Sequence, residues 1–163
     1  MLAIQVESIR EFMKKLLLQD TFDAFLVSEV SVTTFVSFRI DGSLHPEFYP
    51  PEKEQELRQE TRIHARWQEL KPFCLSVIRG QRQPLSLQIV LQLPPDRSRE
   101  LLEEYAPSLD PADLYGLYLN IRYRGDVLTV TTGTSVRSFS PDRSLDTAWD
   151  AFVRKLLEKE DLL

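Results

Sequence analysis

Two alternating apolar segments joined by a turn constrain the fold more than any other feature of this sequence. The first places apolar side chains at every second position, at Leu117, Leu119, Ile121 and Tyr123. Gly125 and Asp126 follow, a pair typical of two-residue hairpin turns, and a second strand-like segment begins at Val127. Because the strands of a hairpin are antiparallel, these segments predict an antiparallel sheet.

Further strands are predicted by the same period of two and by the enrichment in β-branched and aromatic residues. They cover residues 2–6, 26–40, 44–49 and 85–93, and the strand that begins at Val127 extends toward Phe139. The segment 26–40 alternates throughout, so we expect one long strand there. A turn at Asp41-Gly42 then leads into the return strand at 44–49.

Helices are predicted where apolar residues recur with a period near 3.6. Ser8 and Glu11 match a capping box and start a helix over residues 8–19. Further helices are expected at 96–105 and from Ser144 onward. The last one carries an apolar stripe that predicts packing on the sheet, formed by Leu145, Trp149, Phe152, Val153 and Leu156.

The segment 50–70 differs from the rest, because it is highly charged and has only a thin apolar stripe. We expect either an exposed charged helix or a partly mobile insertion there. The next helix is predicted to begin with Pro72 in its first turn and to end at Gly80.

The predicted order of elements is β-α-β-β-α-α-β-α-β-β-α. Hairpins outnumber β-α-β crossovers, so we expect an α+β fold with a mainly antiparallel sheet and helices packed on one face. The order can also be divided into two β-α-β-β-α halves. With 163 residues, the whole chain, 1–163, is expected to form a single domain.

Composition excludes several classes of protein. The five glycines form no phosphate-binding loop, and the two histidines with one cysteine supply no zinc site, so we expect neither a cofactor nor a metal. The first residues lack the features of a signal peptide and no segment is apolar enough to span a membrane, which favours a cytoplasmic protein without a membrane partner. The formal net charge of −5 argues against nonspecific binding to nucleic acid.

Cys74 has two interpretations. It lies near a predicted helix start, where a thiolate is favoured, and this position fits a nucleophile. Its neighbours Phe73 and Leu75 instead favour a thiol that is buried in the core, and we prefer this interpretation.

A cluster of hydroxyl side chains follows the predicted hairpin. Thr131, Thr132, Thr134 and Ser135 surround Gly133, and Arg122 or Arg137 supplies a cation, a combination that fits an anionic ligand. The simpler interpretation is a threonine-rich strand with a bulge at Gly133.

Arg58, Arg62 and Arg66 recur every four residues, which predicts a stripe of positive charge on one helix, with Trp67 beside it. The stripe is a candidate surface for a partner or for nucleic acid, where Trp67 stacks on a base. The simpler interpretation is a solvated helix face, with Trp67 packed against the core. A clamp-like arrangement of paired β-α-β-β units would place other basic residues on nucleic acid, namely Arg10, Lys14 and Lys15.

Several segments together resemble one family. They are residues 16–23, residues 67–80 with Pro84, residues 120–123, residues 132–135, Ser144-Leu145 and residues 148–150. The chain is similar to a family of small bacterial proteins described only as a domain of unknown function. The resemblance implies a compact bacterial cytoplasmic protein, and it implies no activity, ligand or catalytic residue.

These observations favour a noncatalytic binding or protein-interaction module, with another protein as its partner. Two alternatives stay open. One is a clamp-like nucleic-acid-binding protein, and the other is an anion-binding protein or small enzyme that uses residues 131–135. The sequence leaves the oligomeric state open.

Overall fold

The computed structural model describes residues 1–80 and 82–163. Its strands are β1 (Ala3–Gln5), β2 (Leu26–Thr33), β3 (Ser37–Asp41), β4 (Ser86–Gln92), β5 (Leu114–Arg124) and β6 (Val127–Val136). They form one antiparallel sheet with the order β1-β6-β5-β4-β2-β3. The predicted α+β class and antiparallel sheet are confirmed.

The helices in these ranges are α1 (Ile9–Leu17), α2 (Pro51–Gln59), α3 (Trp67–Ile78), α4 (Pro95–Tyr105) and α5 (Ser144–Lys159). None of them is long and apolar enough to cross a membrane. The predicted start of α1 is confirmed, because the Ser8 hydroxyl accepts a hydrogen bond from the amide of Glu11 at 3.3 Å.

The main core lies between one face of the sheet and α1, α3, α4 and α5, which all contribute buried side chains to it. The alternation predicted for β4 and β5 produces this arrangement. Ile89 and Ile121 are fully buried, whereas Gln88 and Arg122 on the opposite face are exposed. α2 is different, because its buried residue, Leu57, lies outside the main core cluster.

The hairpin of β5 and β6 is the most extensive strand pair and matches its prediction. Arg124 pairs with Val127, so the turn has two residues, Gly125 and Asp126. Both have positive φ values, 57° and 60°. Two positive φ values define the type I′ turn, whose twist matches the twist of the flanking strands.

The prediction of one long strand over 26–40 is wrong. The chain turns at residues 34–36, where the amide of Thr34 donates to the carbonyl of Val36 at 2.9 Å, and it forms the two paired strands β2 and β3. The turn contains neither glycine nor proline, so alternation continues through it without a sequence signal. Phe35 at its tip is 91% exposed.

The return strand predicted at 44–49 is also absent from the described residues. Pro46–Phe48 form one turn of 3₁₀ helix, and Ser43 makes only an isolated bridge with His64. Gly42 does mark a special position, but the reason is close packing. A Cβ atom there would lie 1.8 Å from the carbonyl oxygen of Val27.

The segment 50–70 is partly helical, and the predicted start of the following helix is wrong. α3 begins at Trp67, so Pro72 lies inside the helix and not in its first turn. Proline removes one backbone hydrogen bond, here the bond to the carbonyl of Gln68. Glu69 compensates at the helix start, because its carboxylate accepts from the amide of Arg66 at 2.9 Å.

The two β-α-β-β-α halves share their order of elements but not their strand arrangement. In the second half β4, β5 and β6 are adjacent in the sheet. In the first half β1 pairs with β6, at the opposite edge from β2 and β3. A structural repeat would give both halves the same neighbours.

Candidate functional site

The three arginines predicted to form a stripe lie on different elements. Arg58 is on α2, where its guanidinium contacts the carboxylate of Glu54 at 2.7 Å. Arg62 follows α2, its side chain is 8% exposed, and it contacts Glu69. Arg66 immediately precedes α3. The expectation of one basic helix is therefore wrong, because the chain leaves the helix after Gln59.

Trp67 is fully buried, and its indole Nε1 donates to the carbonyl of Leu16 at 2.8 Å. This confirms the interpretation that Trp67 packs against the core. A ring in this position has no exposed face on which a base could stack, so the stacking interpretation is wrong.

The hydroxyl cluster is divided between two faces of the sheet. The hydroxyls of Thr132 and Thr134 donate to carboxylates of α5, those of Asp150 and Asp146. Thr131 pairs with Asn120 in register, on the face opposite Thr132, and Ser135 lies on that face too. The strand pairing thus separates the hydroxyls that were predicted to converge.

The two arginines assigned to this cluster lie apart from the α5 carboxylates. Arg122 is exposed on the same face as Thr131, where it pairs in register with Thr129. Arg137 is exposed and lies 3.9 Å from the carboxylate of Asp113. Among the described residues, no three His, Cys, Asp or Glu side chains are grouped so that they could hold a metal ion.

The Thr132 and Thr134 hydroxyls instead connect β6 to α5 by hydrogen bonds. Burial alone would raise the pKa of Asp146, but hydrogen bonds from Thr134 and Arg143 outweigh burial and lower it. Asp146 is therefore a charged acceptor whose hydrogen bonds are internal. This arrangement explains the threonines by packing between a strand and a helix.

A cleft of about 860 Å³ lies elsewhere, beside α1, and we call it the α1–α3 groove. Its volume is within the range of ligand and peptide sites. Apolar side chains form most of the lining, namely Ile9, Met13, Leu17, Leu18, Leu75, Ile78 and Pro84. The polar lining residues are Arg10, Glu11, Lys14, Gln83, Tyr123 and Asp126.

Packing at one end of α3 creates the groove. Trp67 is bonded to Leu16, and the Lys71 ammonium donates to the Gln19 carbonyl at 2.8 Å and to the Asp23 carboxylate at 2.6 Å. These contacts fix the start of α3 against the end of α1. The last turns of α3, with Leu75 and Ile78, then form one side of the groove.

α1 has two apolar edges. Phe12 and Leu16 are fully buried in the core. Ile9 and Met13 are only partly buried and line the groove. Their helical spacing alone places all four in one apolar stripe. The signal that could have separated them is the width of the apolar stripe, which also includes Leu17 and Leu18 and exceeds what one packed face requires.

Tyr123 supplies a hydroxyl at one end of the groove. Its single hydroxyl hydrogen has two acceptors within reach, the side chains of Gln83 at 3.2 Å and Asp126 at 3.0 Å. Burial and the neighbouring carboxylate of Asp126 raise the pKa of Tyr123, so the hydroxyl stays protonated at neutral pH. This polar group is satisfied within the protein.

Side chains of both charges line the groove, the cations Arg10 and Lys14 and the carboxylates Glu11 and Asp126. Arg79 and Arg82 are next in sequence to the lining residues Ile78 and Gln83. Within the ranges 1–80 and 82–163, none of these four cations lies within 4.0 Å of a carboxylate.

Comparison with known proteins identifies a family. A family model described as a family of unknown function (DUF5721) matches residues 15–163. The chain belongs to this family. No curated protein and no solved structure matched the chain. The matched segment includes α3 and the β5–β6 hairpin but begins within α1, after Lys14.

Proposed function

We propose that this protein is a noncatalytic binding module whose α1–α3 groove accepts an acidic amphipathic helix from a partner protein. The observation that carries the proposal is the combination of an apolar lining with two lining cations, Arg10 and Lys14, that have no carboxylate partner among the described residues. The single cysteine, Cys74, is a free buried thiol, which fits a reducing compartment, so we place this interaction in the cytoplasm.

The apolar lining defines what the partner must present. α1 has nine residues and is therefore about 14 Å long, the length of two to three helical turns. A partner helix of that length presents apolar side chains at positions i, i+3, i+4 and i+7, which is the usual pattern for helices bound in grooves. The partly buried Ile9, Met13 and Ile78 would become fully buried beneath it.

The charges define the flanks of that helix. Arg10 and Lys14 are four residues apart on α1, so both project from neighbouring turns. Glutamate or aspartate on the flank of the partner helix would pair with them. Exposed ion pairs contribute only about 0–1 kcal/mol each, so their main effects are the orientation of the helix and the rate of association.

Nucleic acid fits this surface less well. Phosphates require cations but gain nothing from an apolar lining, and the lining of the groove is mostly apolar. The basic residues assigned to a clamp-like surface also separate in the fold. Lys15 pairs with Glu160 at 3.2 Å, whereas Arg10 and Lys14 face the groove.

Site-specific photo-crosslinking in the protein's own cells tests the proposal. A benzophenone side chain replaces Leu18, which lines the groove and is 64% exposed. In the matched control it replaces Phe139, which is exposed and does not line the groove. We expect one protein to be linked from position 18 but not from 139, with the linked peptide acidic and amphipathic.

The double variant Arg10→Glu with Lys14→Glu sharpens this test. Both side chains are exposed, so the fold is unaffected, and we expect the crosslink from position 18 to be lost. A linked peptide that is basic, an oligonucleotide in place of a peptide, or equal yields from positions 18 and 139 would overturn the proposal.

A further inference from the structure

A second cleft, of about 190 Å³, lies at the end of the sheet away from the groove residues. It is formed where β4 ends, β5 begins and α4 starts, and we call it the β4–α4 cleft. The polar residues that line it are Thr61, His64, Gln92, Ser98, Arg99 and Tyr115. All of them lie within the segment matched by the family model.

Gln92 is 9% exposed and only half of its amide group is satisfied. Its Nε2 donates to the carbonyl of Tyr115 at 3.3 Å, whereas its Oε1 is buried and has no partner. The orientation of the amide is fixed chemically, because the Tyr115 carbonyl can only accept a hydrogen bond. Gly116 leaves room for this amide, since a Cβ atom there would lie 2.8 Å from Nε2.

His64, which also lines the cleft, has a second unsatisfied atom. Its Nδ1 is buried and has no hydrogen-bond partner. Burial lowers the pKa of His64 and outweighs the opposing effect of Asp41, so the ring is neutral at neutral pH. Buried polar atoms are nearly always paired in native proteins, so two residues of one cleft that each have an unpaired buried atom require an explanation.

Two further polar residues of the lining, Ser98 and Arg99, indicate the charge of an occupant. Ser98 donates its hydroxyl to the Leu93 carbonyl at 3.2 Å and keeps lone pairs that can accept. Arg99 is exposed at the edge of the cleft, and among the described residues it makes no ion pair. No aspartate or glutamate of the described chain lines the cleft, which disfavours a cationic ligand and an ammonium donor.

We propose that the β4–α4 cleft binds a small hydroxycarboxylate, whose hydroxyl donates to Oε1 of Gln92 and whose carboxylate pairs with Arg99. A volume of about 190 Å³ corresponds to roughly six water molecules in the liquid, which suits a molecule of a few heavy atoms. This site is independent of the groove and of the partner helix, because the two sets of lining residues share no member.

A stability comparison tests whether Oε1 is truly unpaired in the unliganded protein. Gln92→Met replaces the amide by an apolar side chain of similar shape. We expect the melting temperature of the unliganded protein to change little, because removal of the buried unpaired acceptor offsets loss of the hydrogen bond from Nε2 to the Tyr115 carbonyl. The control Gln88→Met lies on the same face of β4, but Gln88 is exposed and should give no appreciable shift. A large fall in melting temperature for Gln92→Met alone would mean that a structural water satisfies Oε1 as well, and would overturn the proposal.

Ligand titration by NMR tests the chemistry of the occupant. We expect lactate, as either enantiomer, or glycolate to shift the His64 ring and Gln92 amide resonances. Propionate lacks the hydroxyl, lactamide lacks the charge and alanine has an ammonium group, so these three should cause no comparable shift. Arg99→Ala, which removes an exposed side chain and keeps the fold, should abolish the shift. Equal responses to lactate and propionate, or no response to lactate and glycolate, would contradict the assignment.

Discussion

The α1–α3 groove and the β4–α4 cleft differ in size, in polarity and in how completely their polar groups are bonded. The groove is over four times larger, about 860 against 190 Å³, and its buried hydroxyl, on Tyr123, has internal acceptors. The cleft contains Gln92 and His64 with buried atoms that have no partner. An apolar groove with satisfied polar groups suits another protein, whereas unpaired buried atoms suit a small polar ligand.

The largest expected loss of stability comes from a substitution beside the groove and away from the cleft. Trp67→Ala removes the fully buried side chain that fixes α3 to α1, and we expect a loss of about 3–5 kcal/mol in the free energy of unfolding. Urea denaturation measures it. The control Phe73→Ala lies on the same helix but removes a side chain that is mostly exposed, so it should change stability by less than about 0.5 kcal/mol. Similar losses in the two variants would show that Trp67 does not hold the helix.

The reactivity of Cys74 reports how firmly α3 is packed. Burial raises the pKa of this thiol from about 9 to about 11, so at neutral pH it is both protonated and inaccessible. We expect alkylation of the native protein to be at least about a thousandfold slower than that of the unfolded chain, the ratio that global unfolding sets. Gln92→Met should leave this protection unchanged, since the cleft is separate from α3. Fast alkylation of the native protein would contradict a packed α3.

The raised pKa of Cys74 also predicts how the stability of the protein depends on pH. A pKa raised in the folded state means that the thiol contributes stability that is complete below about pH 9. This contribution is lost as the pH rises toward about 11, because the unfolded chain ionises first. Cys74→Ala should flatten that part of the stability profile. A profile with the same slope in wild type and variant would assign the alkaline loss to other groups.

Two conservative substitutions should differ in their effect on the free energy of unfolding. Tyr123→Phe removes a hydroxyl that has acceptors on Gln83 and Asp126, and we expect a loss of about 0.5–1.5 kcal/mol. Gln92→Met removes an unpaired acceptor and also the hydrogen bond from Nε2 to the Tyr115 carbonyl, so the two effects offset and we expect a change below about 0.5 kcal/mol. Thermal denaturation of both proteins under one condition measures the difference. If Gln92→Met destabilises the protein as much as Tyr123→Phe does, the contrast between satisfied and unsatisfied polar groups is wrong.

Local features of this fold could be predicted from the sequence, and long-range ones could not. The β5–β6 turn is encoded by Gly125 and Asp126, and the start of α1 by Ser8. The turn at residues 34–36 has no glycine or proline, so nothing local distinguishes it from continued strand. α3 starts before Pro72 because burial of Trp67 against Leu16, a contact between distant segments, stabilises the extra turn.

The two sites depend on such distant contacts even more. Ile9 and Met13 have the spacing of core residues, and in the fold they pack against the core but stay partly exposed in the groove. Gln92 lies at the end of an ordinary strand pattern, and its unpaired oxygen is visible only once Tyr115 and Gly116 are in place. The predicted convergence of the hydroxyls at residues 131–135 is wrong for a local reason. Side chains alternate along β6, so neighbouring hydroxyls lie on opposite faces of the sheet.

The smallest expected effect separates the groove from the arginine surface that the sequence suggested. Arg58 and Glu54 form an exposed ion pair four residues apart on α2, and such pairs contribute about 0.3–0.5 kcal/mol. Arg58→Ala should therefore cost no more than that in urea denaturation, and should leave both the crosslink from position 18 and the lactate-induced shifts unchanged. Arg10→Glu with Lys14→Glu should abolish the crosslink at a similarly small cost in stability. If Arg58→Ala weakens the crosslink as much as the double variant does, the partner binds α2, and the groove is not its site.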